Sequence, residues 1–429
     1  MTDKDASHQI HRAGHILIDP WHIIDNGFIY VINNTIIRVC SGKSSSISKQ
    51  LGIAGSLGNP KIIDHGPGIL MPSLVNAHTH FELSALKGKV AFGRGGFNSW
   101  VRDLLKEREL CGVANLRHEA KKAIDMALAN GTGFAGEIST LGITKDIFAD
   151  SDIGGVWFQE HLGISPHDQD NGLQAVLDRS DSKQMSVKKD SIAGHAPHTT
   201  SPVLLQLLKH KTKAANLPFS IHVAESDDET EFITTGHGKW ASFLKERGID
   251  HSSWQLPLSG LSSNKILSMP IPSRSPVQYL NDIGLLDQLT LVVHILNVDI
   301  EDIEIIAKKG SRPVLCPRSN WNLHKQLPDI PLFLKHGLKP ALGTDSLAST
   351  ETLNMFDEML YIVRQFPQIN PSDILAMATV NGADALGFGK MAGNLERGKM
   401  ADFIYIPISA SGNDIEKTVV NIILNSSTR

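Results

Sequence analysis

The sequence has few cysteines and no long apolar run, and both absences narrow what the protein can be. Three cysteines occur in 429 residues. Because no two of them have Cys-x-x-Cys spacing, neither a disulfide framework nor a zinc–cysteine site is expected. No stretch reaches the roughly 20 apolar residues that a membrane-spanning helix needs. Residues Met1–Ser7 are polar, with no apolar segment behind a positive start, which predicts a cytoplasmic protein.

An excess of charge of either sign is also absent. The 41 basic and 45 acidic residues give a formal net charge of -4. No basic run and no basic stretch interleaved with aromatic residues occurs, so polymeric nucleic acid is not an expected partner. Hydrophobic residues make up 41% of the chain, which is enough to fill one large domain with a smaller one attached. A small molecule is the expected partner, and a homo-oligomer stays open.

The chain does contain histidines and carboxylates at the points where apolar runs end. The run that begins at Met71 ends in His78 and His80. In an extended strand, alternate side chains share one face, so both rings can point at one metal ion. Two histidines at this spacing are weak evidence alone, but three later runs end in the same way, at His222, His294 and Asp345.

Between the two ends of the chain, apolar strand-like runs alternate with helical periodicity. One such helix has Leu116, Ala120, Ile124 and Leu128 on one face and ends before Gly131. This alternation predicts eight β-α units in a parallel barrel. Every strand of such a barrel delivers its carboxyl end to the same rim, so the histidines and the aspartate should converge there. Imidazole and carboxylate are ligands that zinc and similar divalent ions accept.

The two ends of the chain are rich in β-branched residues. Gly14–Asp19 and Gly27–Cys40, with a turn at Asn33 and Asn34, predict a small β-sheet outside the barrel. The remaining strands of this sheet are expected from Ala401–Pro407 and Thr418–Leu424. Two segments without clear periodicity are predicted to be loops, residues 41–60 at the edge of the sheet and residues 251–275 over the barrel rim.

The order of these motifs resembles that of the amidohydrolase superfamily, within it the branch of nucleobase and nucleoside deaminases and chlorohydrolase-like enzymes. The resemblance extends to Gly393–Asp402 and implies an α/β fold: a (β/α)8 TIM-like barrel of residues 67–388, with a small β-sandwich built from residues 1–66 and 389–429. The segments that carry it are His78-Thr-His80, His222-Val-Ala-Glu225, His294, Cys316-Pro-Arg-Ser-Asn320 and Gly343-Thr-Asp345.

The resemblance also implies roles for these residues. The metal ligands are His78, His80, His222 and Asp345, around one divalent ion, zinc or alternatively iron. A single ion is expected because the fourth strand leads into His195–His198 and not into the bridging lysine of two-metal relatives. Asp345 is then also the proton acceptor for the attacking water, and His294 hydrogen-bonds that water or the tetrahedral centre.

Glu225 separates a deaminase from a hydrolase of good leaving groups. Ammonia departs badly unless the ring nitrogen and then the amine are protonated, and a carboxylic acid beside the metal can move those protons. The alternative is a surface glutamate at the start of an acidic helix, where the helix dipole favours negative charge. His198, Arg318 and Asn320 are the candidate substrate-binding residues. Glu82 has either a structural role or a substrate contact.

Three functions are compatible with these residues. The first is a metal-dependent aminohydrolase of a purine or nucleoside-like substrate, since His78–Ser84, Phe97–Val101 and Ala196–His198 resemble aminodeoxyfutalosine and adenosine-type deaminases. The second is a hydrolase of the same fold that acts on another C–N or C–Cl bond, in a cyclic amidine or a chlorotriazine. The third is a non-catalytic scaffold, against which the intact set of candidate ligands argues.

Overall fold

The computed structural model describes residues 7–42, 60–92, 95–163, 187–249, 251–252, 254, 274–408, 410 and 414–428. Its strands, in chain order, are β1 (His8–Asp19), β2 (His22–Ile32), β3 (Thr35–Ser41), β4 (Lys61–Asp64), β5 (Ile69–Pro72), β6 (Leu74–Thr79), β7 (Thr132–Ser139), β8 (Gly154–His161), β9 (Lys188–Gly194), β10 (Phe219–Val223), β11 (Thr290–His294), β12 (Arg312–Leu315), β13 (Ala341–Leu342) and β14 (Phe403–Ile406).

The helices that follow and cover these strands are α1 (Phe97–Ala129), α2 (Lys145–Asp150), α3 (Pro202–Ala214), α4 (Asp227–Thr235), α5 (Lys239–Glu246), α6 (Pro276–Asp282), α7 (Ile300–Lys309), α8 (Pro317–His324), α9 (Ile330–Lys335), α10 (Met355–Gln365), α11 (Pro371–Met377), α12 (Val380–Ala385) and α13 (Ile415–Ser426), with a 3-10 turn at Phe81–Leu86. Within the described part of the chain, no helix is both long and apolar enough to cross a membrane.

Strands β6 to β13 form the predicted barrel. They lie side by side in chain order, and each pair is parallel. The barrel closes between its last and first strands, where the Asp345 N–H donates to the His78 carbonyl oxygen at 3.1 Å. Every residue of β10 and β11 is buried, as expected of parallel strands covered on both faces. The fold class predicted from the sequence is confirmed.

A second, mixed sheet is built from both ends of the chain, with strand order β14-β5-β1-β2-β3 and β4 beside β1. The predicted turn lies between β2 and β3, where Asn33 and Asn34 have φ of 47° and 63°. Strand β14 pairs antiparallel with β5, which in turn lies beside β1, so the run at Ala401–Pro407 joins the N-terminal sheet as predicted. The boundaries at residues 66 and 388 stay a prediction. Most of the two predicted loops, residues 43–59 and 255–273, lies outside the described residues.

One predicted strand is wrong. Thr418–Leu424 belongs to helix α13, and only β14 represents the C-terminal region in the sheet. The Asp414 side chain caps this helix by accepting the Lys417 N–H at 3.0 Å. Its buried side chains, Thr418, Val419, Ile422 and Ile423, recur at helical spacing and form one face. That spacing and the cap outweigh the β-branched composition, because burial of an apolar face stabilises a helix more than intrinsic propensity does.

Helices α1 and α5 lie close together beside the carboxyl ends of the strands. The predicted face of α1 is confirmed for Leu116, Ala120 and Ile124, which are buried, whereas Leu128 is 38% exposed. Gly112 has φ 70° and ψ 153°, which breaks α1 and separates this face from the segment that begins at Phe97. The rings of Phe97 and Trp240 on α5 meet edge to face, with centroids 6.2 Å apart.

Candidate active site

The predicted ligands converge at the carboxyl ends of three strands. His78 lies in β6, His80 follows it, and His222 lies in β10; candidate nitrogen atoms of the three rings lie within 4.8 Å of one another. The His78 and His222 Nε2 atoms are 3.2 Å apart. Asp345, which follows β13, places its Oδ1 3.7 Å from His80 Nε2. The close approach depends on Gly343, because a Cβ there would lie 2.6 Å from the His78 carbonyl oxygen.

Hydrogen bonds orient two of these side chains. The His222 Nδ1–H donates to the His195 carbonyl oxygen at 2.8 Å, which leaves the Nε2 lone pair free to bind a metal. The Asp345 Oδ2 accepts from the hydroxyls of Ser319 at 2.5 Å and Ser349 at 2.8 Å. Its other oxygen, Oδ1, is the one that faces His80. His222 and Asp345 therefore each present one possible metal-binding atom, Nε2 and Oδ1, to the centre of the cluster.

The donor set fits a divalent metal. Ligand atoms about 2.1 Å from a tetrahedral zinc ion are about 3.4 Å apart, and the measured separations of 3.2 and 3.7 Å bracket that value. Burial lowers the pKa of His78 far below its usual value and that of His80 to about 4. Both rings are therefore neutral at pH 7, the form that binds a metal. The buried His78 Nδ1 has no partner among the described residues.

Glu225 lies beside this cluster and not at the protein surface. It is 7% exposed, and its Oε1 is 3.1 Å from His324 Nε2 and 3.7 Å from His294 Nε2. Burial alone would raise the pKa of Glu225, but His294 and His324 outweigh it and hold the pKa well below its usual range. The carboxylate is therefore ionised at neutral pH. Glu225 is therefore not the solvent-exposed glutamate at a helix start that was the alternative interpretation.

The backbone around these groups is held in sparsely populated conformations. Ala224, His294 and Asp345 all have positive φ, at 54°, 76° and 58°. Such residues cluster at functional sites, where the surrounding structure holds them in place. Here the buried Glu229 carboxylate accepts the N–H groups of Ala224 at 2.9 Å and Glu225 at 3.0 Å. Glu229 thereby fixes the turn that carries Glu225.

Two of the predicted substrate residues do not line the central cavity. The Asn320 Nδ2 donates to His294 Nδ1 at 3.0 Å, so Asn320 contacts the site from behind His294. The Arg318 guanidinium instead contacts Glu351 at 2.7 Å and the Thr352 hydroxyl at 3.0 Å. Glu82 accepts from the Leu141 N–H at 3.0 Å and from the Ser139 hydroxyl, which favours its structural role.

His198, the third predicted substrate residue, does line the cavity. Its ring lies 4.3 Å from that of Trp240, and neither ring nitrogen has a hydrogen-bond partner among the described residues.

The amino-acid sequence of residues 69–423 matches the family model of the amidohydrolase family. The chain belongs to the amidohydrolase family.

Sequence relatives of this amidohydrolase include deaminases. It is 30% identical over 370 residues to an aminodeoxyfutalosine deaminase of Deinococcus radiodurans, across 84% of this chain and 81% of that protein. It is 24% identical over 424 residues to a 5-methylthioadenosine/S-adenosylhomocysteine deaminase of Carboxydothermus hydrogenoformans, across 96% and 88%. Helicobacter pylori aminofutalosine deaminase, solved with methylthio-coformycin, aligns with a TM-score of 0.79 at 22% identity, across 98% of this chain and 97% of that one.

The cavity of this amidohydrolase has a volume of about 270 Å³. Its polar end contains His80, His222, Glu225, His294 and Asp345, and the remainder is mostly apolar. An apolar pocket with a few convergent polar groups is typical of small-molecule sites. The cavity therefore joins the predicted metal ligands and Glu225 to the space that a substrate would occupy.

Sequence reasoning missed Glu160 and His195. Glu160 is the penultimate residue of β8; its Oε1 lies 3.8 Å from His222 Nδ1, and its Oε2 accepts from the Thr140 hydroxyl at 2.7 Å. The His195 ring lies 5.1 Å from that of His222. Both residues line the cavity. Position at a strand end was the available signal, since Glu160 and His195 stand near the carboxyl ends of β8 and β9 just as the predicted residues do.

Proposed function

We propose that this amidohydrolase is a metal-dependent aminohydrolase that replaces the 6-amino group of a purine nucleoside with oxygen and releases ammonia. The observation that carries the proposal is the position of Glu225. Its carboxylate lies within 3.7 Å of His294 and lines the same cavity as His80, His222 and Asp345. A hydrolase of good leaving groups has no need of a buried carboxylate in this place, because its leaving group departs without a proton.

His78, His80, His222 and Asp345 would hold the ion. Three imidazoles and one carboxylate suit zinc, and iron accepts the same donors. When bound, the ion would supply Lewis acidity, which makes a nucleophile derived from water available near neutral pH.

The side chains divide the proton transfers between them. Asp345 accepts a proton from the attacking water, while Ser319 and Ser349 hold its carboxylate in place. Because Asn320 donates to Nδ1 of His294, the ring carries its proton on Nε2, where it can donate to the developing oxyanion. The attacking water loses two protons in all, the first of them accepted by Asp345. Glu225, ionised at the start, takes up these protons in turn and delivers one to the ring nitrogen and the other to the departing amine, which leaves as ammonia as the C6–N bond breaks.

The relatives support a substrate class. Both sequence relatives reported above are deaminases named for substrates of the adenosine type. An aminodeoxyfutalosine-type or 5′-thioadenosine-type nucleoside is therefore the proposed substrate. His198 and its neighbour Trp240 lie where they can contact the base or sugar.

The test is ammonia release by the purified, zinc-loaded protein from a panel of 5′-substituted adenosines, with the ultraviolet change on loss of the 6-amino group as a second readout. A chlorotriazine and a non-nucleoside cyclic amidine serve as comparison substrates. We expect turnover of the nucleosides and little of the others. Chloride release from the triazine without deamination of any nucleoside would sink the proposal.

A further inference from the structure

One short helix supports three groups of the candidate active site at once. Three side chains of α8 each contact a different group: Ser319 contacts Asp345 Oδ2 at 2.5 Å, Asn320 contacts His294 Nδ1 at 3.0 Å, and His324 Nε2 lies 3.1 Å from Glu225 Oε1. Positions 320 and 324 are one helical turn apart and share a face, which position 319 adjoins. The three groups that α8 contacts are the ones that accept or donate protons in the proposed mechanism.

His324 contacts Glu225 without lining the cavity. Its side chain is 8% exposed, and it is not one of the residues that form the cavity wall. The Phe97 ring does line the cavity and packs against the His324 ring, with centroids 4.8 Å apart. An effect of His324 on the reaction therefore has to act through Glu225.

The hydrogen bond between His324 and Glu225 has only one possible direction when the carboxylate is ionised. An ionised carboxylate only accepts hydrogen bonds, so His324 Nε2 carries the proton and donates it to Oε1. A hydrogen bond to a charged group is roughly twice as strong as one between neutral groups. His294 Nε2 lies 3.7 Å from the same oxygen. Oε1 of Glu225 therefore faces two imidazole rings.

The other oxygen of Glu225, Oε2, is left for the substrate. Among the described residues, the only hydrogen bond to the Glu225 side chain is the one to Oε1, and Glu225 lines the cavity. The Asp345 carboxylate has the same arrangement, because Ser319 and Ser349 hold its Oδ2 while Oδ1 faces His80. In each carboxylate, neighbouring side chains hold one oxygen and leave the other free for chemistry.

We propose that His324 is a positioning residue for Glu225: by donating to Oε1, it fixes the carboxylate so that Oε2 carries the protons to the ring nitrogen and the departing amine. This inference rests on the proposed function and assigns its proton transfers to one oxygen. The protons come from the attacking water, and ammonia leaves as the C6–N bond breaks. The last torsion of a glutamate side chain has a broad, two-fold preference, so without the hydrogen bond Oε2 is no longer held in place.

The experiment compares 5′-deoxy-5′-methylthioadenosine with its 6-chloropurine counterpart, which has the same sugar and a leaving group that departs without a proton. Release of ammonia or chloride is measured with the zinc-loaded wild-type protein, His324→Gln and His324→Leu. Glutamine offers an amide N–H at about the reach of the histidine Nε2, whereas leucine has no donor. Trp321→Leu is the matched control, because Trp321 lies on the same helix and is 42% exposed.

We expect His324→Leu to lower kcat for the amine by about 10- to 100-fold, the range for a hydrogen bond to a charged group, and to change chloride release much less. His324→Gln should keep most of both activities, and Trp321→Leu should keep both in full. Asn320→Leu should lower both by a similar factor, because Asn320 acts on His294 and the oxyanion that His294 stabilises develops with either leaving group.

Two kinetic results would overturn the inference and leave deamination intact. Equal losses on the two substrates in His324→Leu would mean that His324 only packs the site. A loss of deamination in His324→Gln as large as that in His324→Leu would mean that the donated N–H is not its contribution. His324→Asn, whose amide is too short to reach Oε1, replaces the leucine variant if that variant does not fold.

If the wild-type protein deaminates no nucleoside, the proposed function fails, and crystal structures of the same zinc-loaded proteins decide the inference separately. The Glu225 carboxylate should keep its orientation in His324→Gln and turn in His324→Leu. The same orientation of Glu225 in both variants would show that His324 does not position it.

Discussion

The role of Glu225 can be tested by the substitution Glu225→Gln, because glutamine has nearly the same shape but cannot accept and donate the proton. Loss of a general acid/base typically lowers the rate by about 10²–10⁴-fold. We expect Glu225→Gln to retain its metal and to lose this much deamination activity. The activity of the variant on a 6-chloropurine analogue should fall much less, since chloride departs without a proton. Both substrates are measured on metal-replete protein; equal losses would show that leaving-group protonation is not the main task of Glu225.

The proposed metal ligands give a second prediction at the scale of residues. His78→Ala, His222→Ala and Asp345→Ala each remove one of four donor atoms, so each variant should lose most of its bound zinc and its activity. His294→Ala is the control: its ring stacks on that of His222 with centroids 5.3 Å apart, yet it should keep the zinc and lose turnover. Elemental analysis after dialysis measures the bound zinc, and ammonia release measures the turnover. Full zinc in any of the first three variants would mean that this ligand is misplaced.

At this scale the sequence located most of the side chains that the structure brings together in the candidate site, and it did so through one rule. His78, His222, His294 and Asp345 each stand where an apolar run stops, and parallel strands bring such positions together. Glu160 and His195 obey the same rule, but their runs gave no reason to prefer them over their neighbours.

At the scale of elements, helix α13 shows where composition misleads. Val419, Ile422 and Ile423 are β-branched and suggested a strand, but their spacing places them on one buried helix face. The barrel strands were recognised because parallel strands buried on both faces give continuous apolar runs. A segment that is half buried has to be interpreted from the period of its apolar residues and not from their type.

A buried ion pair ties helix α3 to the start of strand β11. The Lys209 Nζ, on a residue only 3% exposed, lies 2.6 Å from Asp287 Oδ1 and donates to the Thr290 hydroxyl at 2.7 Å. Lys213 reaches the same carboxylate at 3.3 Å from a side chain that is 65% exposed. Removal of one partner of a buried pair typically costs about 3–5 kcal/mol, whereas exposed pairs contribute at most about 1 kcal/mol.

We therefore expect Lys209→Met to lower the free energy of unfolding by about 3 kcal/mol and the matched Lys213→Met by less than about 1 kcal/mol. Burial raises the pKa of Asp287, but Lys209 outweighs burial and lowers it below its usual value. The contribution of the pair is therefore complete above about pH 4 and is lost as the pH falls through the folded-state pKa. Urea titrations of the wild-type protein and Lys209→Met at pH 7 and pH 3 measure this contribution. A difference in unfolding free energy that is the same at both pH values would contradict the prediction.

For the whole molecule, the proposed metal site coincides with the closure of the barrel. Strand β13 has only two residues, and the contact between the last and first strands includes the Asp345 N–H to His78 hydrogen bond. A metal held by His78 and Asp345 would join these two strands directly. A ligand at about 1,000 times its Kd stabilises the folded state by about 4 kcal/mol.

Chelation should therefore lower the melting temperature, by roughly 5 °C for a chain of this size. Asp345→Ala, which lacks the ligand on the last strand, should melt at the same temperature with and without chelator. Differential scanning calorimetry with zinc and with excess chelator provides the comparison. If the wild-type protein binds zinc but its melting temperature does not change with chelator, the metal does not stabilise the closure of the barrel.

The terminal sheet has a consequence for synthesis on the ribosome. Strand β5 ends at Pro72, and its partner β14 begins at Phe403. At about 5–20 residues per second, the ribosome needs roughly 15–70 s to reach the partner. Until then one edge of Ile69–Pro72 has no strand beside it, and unpaired strand edges join with those of other chains. Ribosomes that follow one another closely on a message therefore hold several such edges within reach of each other.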